Sequence, residues 1–183
     1  MTCHCIFRAA ALASALLVPL QPALAEGDAA AGLPGGASSL QENYGDWTVS
    51  CRVAEARRSC MILQALGRST GETVLSLELV PLGEAQAEGI LLSPFGLKLS
   101  EGVTLAVDGK PFAKPFAFMT CVEAGCIVPM ALEGDQLASL KAGKELQVSA
   151  ANASSGAAVD LKLSLSGFKT AFERARTLLT AKN

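Results

Sequence analysis

Four cysteines in two close pairs place the tightest limit on what this chain can fold into. Cys51 and Cys60 are separated by eight residues, and Cys121 and Cys126 by four. The run Trp47-Thr-Val-Ser-Cys-Arg-Val53 alternates, with Trp47, Val49, Cys51 and Val53 on one side and Thr48, Ser50 and Arg52 on the other. Such a period of two marks a half-buried strand. Cys60–Leu66 reads as a second strand after the polar turn Ala54–Ser59, and a hairpin joining the two sets Cys51 opposite Cys60. Phe116–Cys121 and Cys126–Leu132 read as two more strands around the loop Val122-Glu-Ala-Gly125, where Gly125 can supply a positive φ. Residues opposed across a hairpin hold their Cβ atoms about 4.5–5.5 Å apart, close enough for a disulfide after modest adjustment. The expected bridges are therefore Cys51–Cys60 and Cys121–Cys126. In a chain-entropy account each contributes on the order of 2–3 kcal/mol.

Oxidised cysteines need an oxidising compartment, and the N-terminus supplies a route to one. MTCHCIFR carries Arg8, AAALASALLVPL is a short apolar run, and Ala23-Leu24-Ala25 is a small-x-small cleavage signal ahead of Glu26. Residues 1–25 are expected to be a secretory signal peptide, and the protein to be periplasmic, cell-surface or secreted. Cleavage leaves 158 of 183 residues, enough for one domain with a real core. It removes Arg8, leaving 14 basic against 17 acidic residues, a net charge of −3. No basic patch remains for nucleic acid or an anionic membrane surface, and no apolar run approaches a membrane span. The single histidine, His4, leaves with the signal, and Ser-His-Asp, Cys-His and His-metal chemistry leave with it. The cysteine spacings match neither a zinc site nor a C-x-x-C redox centre, so neither a metal nor a cofactor is expected.

Residues 26–43 are expected to be a flexible linker, being largely Ala, Gly and Ser as far as Gln41, and residues 44–180 a single domain. Thr73–Val80 alternates with Leu75, Leu77 and Leu79 inward. Gly83–Gly89 reads as a polar connection, and Ile90–Leu99 as an apolar segment broken by Pro94 and Gly96. Val103, Leu105 and Val107 alternate into the tight turn Asp108-Gly109, after which Pro111 and Pro115 allow only an edge or irregular strand. Asp135–Ala142 reads as a short helix with Asp135 as N-cap and Gly143 just past its end. Glu145–Ala151 and Val159–Leu165 are further strands. Phe168, Phe172, Ala175 and Leu179 then share one face of a C-terminal helix. Seven to nine short strands with little helix imply a mainly β fold, an antiparallel β-sandwich or partly open barrel.

Three short motifs have plainer readings than their chemistry. Gly67-Arg-Ser-Thr-Gly71 matches the nucleophile elbow, which requires a helix after the serine, whereas a strand follows here. Ser166-Gly-Phe-Lys169 matches the S-x-x-K of Ser-Lys hydrolases without their S-D-N and K-T-G partners, and Ser166 suits a helix cap. Asn152-Ala-Ser154 is a glycosylation sequon. Met61, Met119 and Met130 fit core filler better than metal ligands.

Several segments in order carry a resemblance. They are Gly45-Asp-Trp-Thr-Val-Ser-Cys51, Cys60-Met-Ile-Leu-Gln64, Pro94-Phe-Gly-Leu-Lys-Leu99, Val107-Asp-Gly-Lys110, Phe118-Met-Thr-Cys-x-x-x-Gly-Cys126, Leu140-Lys-Ala-Gly-Lys144 and Leu163-Ser-Leu-Ser-Gly-Phe168. From about Gly45 to Phe172 the chain resembles the invasion-associated locus B family of exported α-proteobacterial proteins. That resemblance implies a β-rich periplasmic or cell-surface protein, no established catalytic residues, and a link to host-cell invasion. The expected function is non-enzymatic binding of a protein or envelope component. The alternatives are a Ser-Lys hydrolase using Ser166 and Lys169, or a purely structural envelope protein. The expected contact surface is Leu92, Pro94, Phe95 and Leu97, apolar residues on a segment too irregular for a central strand.

Overall fold

The structure is a computed structural model that describes Met1 and residues 32–67, 69, 71 and 73–181. The expected signal peptide lies outside the described residues, apart from Met1. The strands are β1 (Ser39–Tyr44), β2 (Trp47–Ala54), β3 (Arg57–Gly67), β4 (Thr73–Pro81), β5 (Gln86–Ser93), β6 (Thr104–Val107), β7 (Lys110–Pro111), β8 (Thr120–Val122), β9 (Gly125–Glu133), β10 (Glu145–Ala151) and β11 (Ala158–Ser164). Helix α1 (Gly134–Ala142) stands between β9 and β10, and α2 (Phe168–Thr180) follows β11. A seven-stranded sheet runs β1-β2-β3-β4-β5-β9-β8 and a four-stranded sheet β11-β10-β6-β7. Every strand pair is antiparallel. The two sheets do not close into a barrel, so the sandwich is the form adopted.

Alternation dictates which face is buried. Trp47, Val49, Ile62, Leu75, Leu77, Leu79 and Leu91 lose all solvent contact on the inner face of the large sheet. Leu105, Leu146 and Leu163 join this core from the small sheet, and Phe168, Phe172 and Ala175 from α2. Trp47 ties all three layers together. Its ring meets Phe168 edge-on at 4.9 Å, and its indole N–H donates to the Ser164 carbonyl at 2.9 Å. The chain enters α2 through a close backbone crossing. Asp46 N–H donates to the Ser166 carbonyl at 3.1 Å, and a Cβ on Gly167 would stand 1.9 Å from the Tyr44 carbonyl oxygen. Only glycine fits there, and at φ 87 only glycine is unstrained.

Both expected disulfides are present. Cys51 pairs with Cys60 across β2 and β3 at a Cα separation of 4.1 Å, and Cys121 pairs with Cys126 across β8 and β9 at 3.9 Å. These distances suit the closer, non-hydrogen-bonded kind of antiparallel pair. Asp108 and Gly109 both have positive φ, giving the expected tight turn between β6 and the two-residue edge strand β7.

Several expectations are corrected. The expected linker does not reach residue 43, because Ser39–Tyr44 pairs fully with β2 and Leu33 is buried against the core. Its polar Ser39, Gln41, Glu42 and Asn43 are compatible with an edge strand, and Leu40 and Tyr44 supply the packing against the core. Gln86–Gly89 is strand rather than connection, since the alternation Ala87, Gly89, Leu91 continues that of the apolar run. Of the expected Phe116–Cys121 strand only Thr120 and Cys121 lie in the large sheet, where Val122 joins them, while Phe116 bridges to Val103. The hairpin loop has two residues, not four, because Val122 still pairs with Gly125. Glu133, not Asp135, caps α1, with Gln136 Oε1 accepting from the Glu133 N–H at 3.5 Å. Gly167, not Ser166, caps α2, because the backbone crossing claims that position. Met119 is 64% exposed and fills no core.

Candidate functional site

The inner face of the large sheet is covered by α2 and the small sheet, and its outer face carries the outward residues of each strand. On β3, β4, β5 and β9 many of these are apolar. Ile90 stands opposite Pro129, and Leu92 opposite Ile127, which in turn faces Thr120 of β8. Ile90 is 36% exposed, and Leu92, Ile127 and Leu63 are half-buried. This stripe ends at β8, an edge strand three residues long whose far side pairs with nothing in the sheet. Met119 and Val122, at either end of β8, are exposed.

The four residues expected to form a contact surface divide here. Phe95, two residues past the end of β5, is 59% exposed. Leu92 and Pro94 are half-buried at the sheet corner. Leu97 is buried at 8%, because its segment turns toward the small sheet and bridges Asn152. Gly96 accepts from Ala153 N–H and Lys98 donates to the Ala151 carbonyl, each at 2.8 Å, so the segment is held by backbone bonds. Gly125, at φ 146, lets the β8–β9 hairpin close against this corner, where a Cβ would stand 2.5 Å from the Ser93 carbonyl oxygen. The apolar residues with exposure near this corner are Phe95, Leu92 and Pro94 about the end of β5, with Ile90, Ile127 and Val122 on the strands and Met119 just before β8. The last four were missed by sequence reasoning. The signal for Ile90 and Ile127 was that β5 and β9 are apolar at both parities, which marks a strand with two apolar faces.

The catalytic motifs are not assembled. Ser166 and Lys169 are both exposed, and no hydrogen bond joins Ser166 Oγ to Lys169 Nζ among the described residues. Gly67 ends β3 and Thr73 opens β4, so the G-x-S-x-G match spans a connection between antiparallel strands. Asn152 Oδ1 accepts from the N–H groups of Ser154 and Ser155 at 2.9 and 3.0 Å, making the sequon a tight turn. No group of three or more His, Cys, Asp or Glu side chains able to hold a metal occurs among the described residues.

Several charged residues tie elements together. Arg174 of α2 grips Glu42 of β1 through two bonds of 2.7 and 2.8 Å, and the Tyr44 hydroxyl donates to the same carboxylate at 2.8 Å. The bond from Arg174 holds the Glu42 carboxyl below its ordinary value, and the bond to Glu42 raises the Tyr44 phenol. Lys141 of α1 bonds Glu173 of α2 at 2.8 Å and lies 4.3 Å over the Phe172 ring. That bond lowers the Glu173 carboxyl. Arg58 of β3 donates to the Leu178 and Ala181 carbonyls at the end of α2 and to the Gly32 carbonyl. A cation there also complements the helix dipole.

These features define a disulfide-stapled, two-sheet antiparallel β protein whose large sheet leaves an apolar outer corner at an open edge. The chain belongs to the Invasion associated locus B (IalB) protein family, whose model matches residues 47–176. It is 40% identical over 151 residues to an Invasion protein B homolog of Brucella abortus, covering 81% of this chain and 86% of that protein. It is 35% identical over 148 residues to Invasion protein B of Bartonella bacilliformis, covering 80% of each. Its fold is similar to the crystal structure of invasion associated protein b from Bartonella henselae, with a TM-score of 0.70 and 32% identity over 76% of this chain and 97% of that one. No helix among the described residues is long and apolar enough to cross a membrane.

Proposed function

We propose that this protein is a non-enzymatic, exported binding protein that engages a polypeptide partner of the envelope or cell surface through the corner formed by β5, β8 and β9. The observation carrying this reading is Phe95, a large aromatic side chain 59% exposed two residues past the end of β5, the strand that carries outward Ile90 and Leu92. Exposed aromatics beside half-buried apolar residues are the usual anchors of protein contacts. The open edge of β8 favours a polypeptide over other envelope components, because unpaired backbone groups suit an added strand. The two disulfides and the family membership support export, and a link to invasion rests on the names of the Brucella and Bartonella relatives, an Invasion protein B homolog and Invasion protein B.

A photo-crosslinkable residue at position 95 tests this in cells. It should capture a discrete polypeptide, whereas the same residue at exposed Ser154 should not. Equal capture at both positions would count against the corner. Phe95→Ala should leave stability within about 0.5 kcal/mol. A loss near the 3–5 kcal/mol of a buried phenylalanine would show Phe95 to be a packing residue and retire the surface.

A further inference from the structure

Two carboxylates stand in the apolar middle of the outer face of the large sheet. Leu77, Leu79 and Ala87 are buried on the inner face, so alternation turns Glu78 of β4 and Glu88 of β5 outward. Glu78 is half-buried and Glu88 exposed. Glu78 lies opposite Leu63 of β3 and Ile90 of β5, and Glu88 lies opposite Val80 of β4 and Ala131 of β9. The two glutamates are therefore diagonal neighbours across β4 and β5, a separation of about 7–8 Å. Neither makes a side-chain hydrogen bond or an ion pair among the described residues, and β4, β5 and β9 contain no lysine or arginine. Beside Glu88, an open cleft of about 600 Å³ is lined by Val80, Leu82, Ile90, Pro129 and Ala131. Leu82 is 56% exposed.

On the reading of the outer corner as a polypeptide site, we infer that its partner is a cationic, amphipathic segment whose two basic side chains meet Glu78 and Glu88. Ile90 joins the two places, since it faces Glu78 and also belongs to the corner. Charge selects the occupant. A second copy stacked on this face about a twofold axis would bring four carboxylates together with no cation between them, and an anionic membrane would be repelled likewise. A basic partner instead supplies the ion pairs that no group of this chain provides, and it does so beside apolar neighbours that exclude water. Spacing selects the conformation. Residues two apart on an extended chain point to one side and lie roughly 6–7 Å apart, which matches the diagonal from Glu78 to Glu88.

The test is a titration of the mature, disulfide-bonded protein followed by NMR of the backbone amides of Ile90 and Ala131. The probe is acetyl-Val-Ser-Lys-Ser-Lys-Ser-Val-amide, which holds its lysines two apart between apolar ends. One comparator has glutamate in place of both lysines, and another has serine in place of both valines. The lysine probe should give saturable shifts confined to β4, β5 and β9. Its affinity should fall about tenfold without the valines, and the glutamate peptide should give no saturable shift. Glu78→Gln combined with Glu88→Gln should weaken the lysine probe about tenfold, whereas Glu55→Gln, in the turn between β2 and β3, should not. If the double variant does not fold, Glu88→Gln alone, at an exposed position, should weaken binding about threefold. No saturable shift with the lysine probe, equal binding of the glutamate peptide, or unchanged affinity in the glutamine variants would mean that Glu78 and Glu88 only keep an apolar face soluble, and would overturn the inference. Capture at position 95 decides the corner by a separate measurement, so the two readings can fail independently.

Discussion

Trp47 shows how much one residue can organise. It is the only tryptophan in the chain, is wholly buried, and bonds a carbonyl of the opposite sheet. The Ser164 carbonyl also accepts from Gln64 Nε2, so two side chains of the large sheet converge on one acceptor of the small sheet. Trp47→Phe keeps an aromatic ring near Phe168 but deletes the N–H. Its cost should be about 1–2 kcal/mol. Trp47→Ala removes the ring and opens a cavity, and should cost about 3–5 kcal/mol. Urea unfolding followed by far-ultraviolet circular dichroism, which does not depend on the indole, measures both.

At the scale of elements, α2 is held by apolar burial and then positioned by charge. Phe168, Ala171, Phe172, Ala175 and Leu178 fill the stripe against the sheet. Glu42–Arg174 and Lys141–Glu173 fix the helix to β1 and α1. Both carboxyls are held below the ordinary glutamate value of 4.5 in the folded protein. Their contribution is therefore fully present above that value, and it is lost as pH falls through the lower folded values. Glu42→Gln should destabilise the protein by about 1 kcal/mol or less at pH 7, since the pair is partly exposed. The difference from wild type should shrink once pH drops below 4.5. Thermal unfolding of the two proteins across pH 3–7 checks this, and a constant difference would contradict it. The β2–β3 hairpin shows a local compromise. Glu55 and Ala56 both adopt positive φ, a geometry that favours Asn-Gly, beside the bridge at Cys51–Cys60.

For the whole molecule, export and oxidation belong together. The exported protein should begin at Glu26, and its intact mass should lack residues 1–25 and four thiol hydrogens. Retention of Met1 would contradict the expected signal cleavage. Reduction should cost on the order of 2–3 kcal/mol per bridge. Cys51 and Cys60 are both buried at 1%, whereas Cys121 is exposed, so Cys121–Cys126 should be reduced first. Differential alkylation and peptide mapping would show the order.

Much of this molecule was legible in the sequence because its information is local. Period-two alternation at Trp47–Val53 and Thr73–Val80 determined the strands and their buried faces. Hairpin spacing determined both cysteine pairs, and the stripe Phe168, Phe172, Ala175 determined the terminal helix. Strand order did not follow, because the neighbours of β5 and β9 are chosen by packing between distant segments rather than by local pattern. Ser39–Tyr44 carries few apolar residues, and only pairing with β2 makes it a strand. Cap positions also escaped, since the crossing of Gly45 and Gly167 is a meeting of backbones far apart in the chain. The same reason governs the candidate sites. The sequence holds apolar residues at both parities in Ile90–Leu92 and Ile127–Met130, a signal that the strand reading passed over, and only the tertiary structure decided that helix and small sheet cover one face and leave Phe95 outside. It likewise made Glu78 and Glu88 diagonal neighbours on the uncovered face, because the register of β4 against β5 is set by their pairing and not by sequence spacing.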